Sequence, residues 1–140
     1  MDPVTDPVAR PAEPSGPPAG AGMLHHLALA GEWAAAVAGD GWYRRSTRGL
    51  GLDEVGFVHC ALAHQVAGVA RRYYRGAGEV VLLTIDPARL ACPVRVEAAA
   101  PGGEAFPHVY GPLPVAAVVA VQALTADAEG ALVPPPASGH

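Results

Sequence analysis

The chain has 140 residues, enough for one domain. Its 51% hydrophobic and 16% charged composition excludes a wholly disordered protein. All nine basic residues are arginine, and between Met23 and Thr125 eight arginines balance eight acids, so the net charge of −4 belongs to the ends. A formally neutral core lacks the basic face of a nucleic-acid binder, and no run reaches the ~18 apolar residues of a membrane-spanning helix.

Residues 1–22 hold six prolines and three glycines without an apolar run. They read as a disordered tail with no signal-peptide core. Cys60 and Cys92 lie far apart, so with no export signal both are expected as free thiols in a reducing cytoplasm. Met23–Leu27 predicts a short strand. Leu29–Ala38 predicts a helix, with Leu29, Trp33 and Val37 four apart; Asp40-Gly41 stops it. Trp42–Arg44 suggests a short strand, and Arg45–Gly51 a basic, glycine-containing loop. Asp53-Glu54 leads into a buried strand, Gly56–Cys60.

Leu62–Arg75 is the clearest helix: Leu62, Val66, Val69, Ala70 and Tyr73 form one face, and Gln65, Arg71, Arg72 and Arg75 the outer one. Gly76 and Gly78 end it. Val80–Ile85 reads as a central strand, apolar on both faces. Asp86-Pro87 starts a short helical turn, Pro93–Glu97 alternates like a strand, and Pro101-Gly102-Gly103 turns. Phe106–Tyr110 is extended, Pro112–Pro114 breaks it, and Val118–Leu124 is a last strand. Strands outnumber helices, which predicts an α+β domain over 23–125 with two main helices and a disordered tail over 126–140.

The chemistry-bearing residues interrupt these apolar strands. One of His25 and His26 must face inward, because strand side chains alternate. His59 and Cys60 end one strand and Glu97 another. His108 and Tyr110 are two apart and share a face. Polar groups buried in this way need hydrogen-bond partners, so several on several strands suggest a lined pocket. Cys60 beside His59 points to the opposite face, which argues against a Cys–His nucleophile pair. Glu97 is expected to pair with Arg95 or another arginine, or to serve catalysis. Arg44, Arg45 and Arg48, interleaved with Ser46 and Thr47, form either a loop that grips phosphate or carboxylate or a solvated basic loop.

The blocks Leu24-His25-His26-Leu27 with Glu32-Trp33, Gly56-Phe57-Val58-His59-Cys60, Ile85-Asp86-Pro87-Ala88-Arg89-Leu90, Arg95-Val96-Glu97 and Phe106-Pro107-His108-Val109-Tyr110-Gly111-Pro112-Leu113-Pro114 resemble the bacterial and plant family called domain of unknown function 952. The resemblance covers about Met23 to Leu124. It implies that His26 is the histidine of the first strand, and that His59, Cys60, Glu97, His108 and Tyr110 stand at motif positions. Ala61-Leu62 replace the Ser-Thr that usually follows His-Cys, so the usual cap of the next helix is missing. The family is thought similar in fold to ADP-ribosyltransferases. That implies a split, mixed and mostly antiparallel β-structure with an NAD-shaped cleft, His26 at the nicotinamide ribose, and Tyr43, Tyr110 and Glu97 as counterparts of the stacking aromatic and the late glutamate.

The leading expectation is a pocket for a nucleotide or other anionic small molecule, with NAD the implied ligand. His26, Arg44, Ser46, Arg48 and Tyr110 would bind it; His59, Glu97 and His108 would carry catalysis, a histidine being the natural proton-transfer group near neutral pH. Two alternatives stand beside it: a non-catalytic ligand- or partner-binding module with structural histidines, and a metal-dependent enzyme using His26, His59 and His108, although no two of these ligands have helical or chelate spacing.

Overall fold

The structure, a computed structural model, describes residues 22–98, 100–126 and 132–133. The expected N-terminal tail lies outside these residues apart from Gly22. The elements in chain order are β1 (Leu24–Leu29), α1 (Ala30–Ala38), β2 (Trp42–Tyr43), β3 (Arg45–Thr47), β4 (Leu50–Gly51), α2 (Leu52–Val55) and β5 (Val58–His59). They continue with α3 (Val66–Tyr73), β6 (Gly78–Ile85), β7 (Val94–Ala98), β8 (Ala105–Val109), β9 (Leu113–Pro114), β10 (Val118–Ala126) and β11 (Leu132–Val133). Every strand pair among the described residues is antiparallel, so the fold is α+β with a split sheet but without the mixed pairing expected.

The largest sheet runs β1-β6-β10-β11. Strand β6 is central: Leu24↔Ile85 to Leu29↔Val80 pairs it with β1, and β10 lies on its other edge. Its alternate faces enter two apolar clusters, which is why its sequence is apolar throughout. Val81, Leu83 and Ile85 pack with Leu24, Trp33 and Tyr43. Val80 packs with Leu27, Val69, Ala70 and Tyr74, so α1 and α3 feed opposite clusters. A second sheet, β5-β8-β7, is joined to the first by the backbone bridge His25↔Ala61.

Three elements depart from the sequence reading. The basic loop folds as the β3–β4 hairpin, with Arg45 opposite Gly51. A single turn, α2, precedes Gly56, whose φ of 99° closes it in the left-handed region that glycine tolerates. The helix expected from Leu62 starts as a 3₁₀ turn, Ala63–Gln65, and this changes its phase. Gln65 is therefore 5% exposed rather than outward-facing, and Tyr74 at 2%, not Tyr73 at 43%, is the core aromatic. Gln65 also stands in for the missing cap: its Oε1 accepts the Leu62 N–H at 2.9 Å.

The expected C-terminal tail contains Ala126, the last residue of β10, and Leu132–Val133, which pair back onto Thr125–Ala126. Two β-forming residues just ahead of the Pro134–Pro136 run account for that short strand; the remainder of 126–140 lies outside the described residues. No helix among the described residues is long and apolar enough to cross a membrane.

Candidate active site

The β5-β8-β7 sheet builds the site by alternation. His59 pairs with His108 across β5 and β8, and His108 with Arg95 across β8 and β7; Glu97 pairs with Phe106. Val58, Val94 and Val109 are buried on the core face. Residues opposite one another in a ladder, or two apart along a strand, share a face. His59, His108, Arg95, Glu97 and Phe106 therefore all belong to the other face. It floors a cleft of about 550 Å³ lined by His59, Glu97, Phe106 and His108, with Phe57, Arg72, Tyr73 and Glu104 also on its walls.

Within the cleft, Glu97 Oε1 accepts from His108 Nδ1 at 2.8 Å and from the Tyr110 hydroxyl. The Tyr110 bond, then the His108 bond, holds the Glu97 carboxyl below its ordinary range, while the same carboxylate raises the Tyr110 phenol. An ionised carboxylate only accepts, so His108 Nδ1 carries a hydrogen. In the neutral ring that leaves the Nε2 lone pair available, and Nε2 has no hydrogen-bond partner among the described residues. Phe57 stacks on the His108 ring at 3.9 Å and 15°, fixing its plane. Arg95, expected to pair with Glu97, instead lies over the Tyr110 ring at 5.3 Å.

His59 completes the floor, its ring 5.5 Å from His108 and 5.0 Å from Phe106. Burial, then the neighbouring His108 and Arg72, pushes its pKa down to about 4, so it is neutral at physiological pH.

His26 lies behind this face rather than on it. It is 2% exposed, with Nδ1 2.6 Å from the His59 carbonyl and Nε2 2.9 Å from the Tyr43 hydroxyl. A carbonyl can only accept, so Nδ1 donates to it and Nε2 accepts from Tyr43. Burial drives the His26 pKa down to about 4 and raises that of Tyr43, which keeps this relay neutral with its protons in place. Both ring nitrogens are thus engaged inside the protein, and His26 meets β5 through the His59 carbonyl.

The other expected ligand-binding residues do not converge on the cleft. Arg44 bridges Asp40 at 3.0 Å, Arg45 bridges Glu32 at 3.1 Å, and Arg48 donates to the Arg75 carbonyl at 2.8 Å. Ser46 is 1% exposed. Tyr110 reaches the site through Glu97. Cys60 is 1% exposed, its thiol pushed up by burial to about 12, and Cys92 is also a free thiol. Among the described residues no group of three His, Cys, Asp or Glu side chains is placed to hold a metal ion.

Sequence reasoning missed the aromatic walls. A signal was present: Phe57 stands two before His59 and Phe106 two before His108, the spacing of a shared strand face. Arg72 and Tyr73 carried no such signal, because their place depends on the phase of α3.

The fold and this face together define a small antiparallel α+β protein with a histidine–glutamate centre in an aromatic-walled cleft. The chain belongs to the family described as Protein of unknown function (DUF952), whose model matches residues 28–121. Among solved structures, the crystal structure of protein CC0527 from Caulobacter crescentus is 31% identical, with 79% of this chain and 92% of that one covered and a TM-score of 0.66. The solution NMR structure of the same protein is also 31% identical, with a TM-score of 0.62 over 78% of this chain and 90% of that one. No curated protein matches the chain.

Proposed function

We propose that the cleft binds a nucleotide or similar anionic small molecule and that His108 acts on it as a general base. The observation that carries this reading is the Glu97–His108 pair facing a cleft walled by Phe57, Tyr73 and Phe106, with Arg72 at its edge. Rings of this kind offer faces for a flat heterocycle, and a guanidinium suits a phosphate or carboxylate. His108 Nε2 would take a proton from a ligand hydroxyl or from water, and the imidazolium formed would be stabilised by the Glu97 carboxylate through Nδ1–H. Neutral His59, alongside, offers one donor and one acceptor to the same ligand.

An ADP-ribosyltransferase-like activity on NAD is the finer form of this reading. The residues do not fit the arrangement the resemblance implies, since both nitrogens of His26 are engaged inside the protein. No step is therefore assigned to NAD, which serves as a test ligand.

A thermal-shift screen with nucleotides, NAD and ADP-ribose tests the proposal, because a ligand of the native state raises Tm. At least one ligand should raise it, and Phe106→Ala should abolish the rise. His108→Gln should keep binding and lower turnover of that ligand by about 10²–10⁴-fold. If no ligand shifts Tm, the binding reading fails; if His108→Gln leaves turnover intact, the catalytic one does.

A further inference from the structure

We infer that the cleft has a second, phosphate-accepting compartment, and that the ligand class is a nucleoside diphosphate. This rests on the proposed reading of the main cleft and specifies its ligand. Beside the cleft lies a groove of about 290 Å³ whose walls include His64, Gly68, Arg71, Arg72, Glu104 and Phe106. Arg72, Glu104 and Phe106 also line the main cleft, so the two spaces are contiguous.

The groove follows from the helix. Gly68, Arg71 and Arg72 lie on α3 at i, i+3 and i+4, and His64, in the 3₁₀ turn just before α3, lines the same groove, so three basic side chains surround a residue without one. A Cβ at Gly68 would meet nothing within 4 Å. The glycine therefore leaves empty space, not a tight backbone approach. Arg71 and Arg72 form no ion pair among the described residues, whereas Arg44, Arg45 and Arg89 each have one. Two adjacent guanidiniums with a histidine suit the spread charge of a diphosphate better than a single carboxylate.

The acid in the groove fits the same ligand. Gln65, itself 5% exposed, donates from Nε2 to Glu104 Oε2 at 3.0 Å and to the Ala105 carbonyl at 2.8 Å, which fixes Glu104 at the junction of the two spaces. Its other carboxylate oxygen is placed to accept from a sugar hydroxyl lying between a ring on the aromatic walls and phosphates against the arginines.

Gly68→Leu fills the groove without touching the main cleft, and replacing a helix-interior glycine favours the helix. Adenosine, ADP and inorganic pyrophosphate are titrated calorimetrically into the wild type, Gly68→Leu and Arg71→Gln. In the wild type ADP should bind at least about tenfold tighter than adenosine, the scale of one charge-assisted contact. Gly68→Leu should remove that advantage and Arg71→Gln should reduce it, with adenosine affinity unchanged in both. Equal binding of ADP and adenosine by the wild type, or a full ADP advantage in Gly68→Leu, overturns the compartment. If neither adenosine nor ADP binds, the main-cleft reading fails, and pyrophosphate decides the compartment separately. Pyrophosphate binding that Gly68→Leu abolishes sustains it; absence of pyrophosphate binding overturns it.

Discussion

Lowering the pH should destabilise this protein through His26, by an amount the structure sets. The ring is buried, makes both of its hydrogen bonds in the neutral form, and has a pKa of about 4 against an ordinary 6.5. In the unfolded chain the same imidazole takes up a proton as pH falls through 6.5, while the folded protein does not until near 4. The unfolded state therefore binds the extra proton throughout this window, and stability falls with falling pH. At 1.36 kcal/mol per unit the loss amounts to about 3 kcal/mol. For a domain of roughly 100 residues that is a fall in Tm of about 12–24 °C.

His26→Gln removes the titration but keeps the hydrogen-bond pattern, since a glutamine amide can donate to the His59 carbonyl and accept from Tyr43. Thermal melts by circular dichroism between pH 7 and pH 4 should show the wild type losing about 3 kcal/mol more than this variant. His59, also held near 4, and Glu97, held low by Tyr110 and His108, add acid lability of the same sign to both proteins, and only the repulsion between His26 and His59 is lost with the variant. Parallel stability–pH curves for the two proteins would refute the reasoning.

Three further perturbations probe other contacts. Tyr43→Phe deletes the donor to His26 Nε2 and should cost about 1–3 kcal/mol in denaturant unfolding, the price of one unpaired buried acceptor. Gly111→Ala places a Cβ 2.7 Å from Cys92 Sγ and 2.9 Å from Cys92 Cβ; it should cost about 1–3 kcal/mol, and a double-mutant cycle with Cys92→Gly should recover most of it. Tyr110→Phe removes the main interaction that holds the Glu97 carboxyl low, so Glu97 should titrate at higher pH when followed by carboxyl NMR.

The apolar strands were legible because their burial is written locally. β6 is apolar on both faces, and β10 could be read as a strand from its apolar run. The β3–β4 hairpin was hidden because arginines and glycines look like a loop until Arg45 is seen to pair with Glu32, 13 positions earlier. At the site, His59, Glu97 and His108 were recognisable as polar residues in buried strands. Their relation was not: the sequence offers Glu97 Arg95 or another arginine as a partner, whereas strand pairing brings it to His108 and Tyr110. The role of His26 depends on Tyr43, 17 positions on, and on a carbonyl 33 positions on, distances at which periodicity carries no information. Gln65 was misplaced because one 3₁₀ turn rotated the helix phase.

The central claim is that the His59–Glu97–His108 face is a ligand site. Its most direct test is a titration of isotope-labelled protein with ADP, following backbone amides and the histidine ring carbons by NMR. Shifts should concentrate at His59, Phe106, His108 and Arg72, leaving Arg44, Ser46 and Arg48 unmoved. Shifts centred on the Arg44–Arg48 hairpin, or none anywhere at saturating ADP, would contradict it.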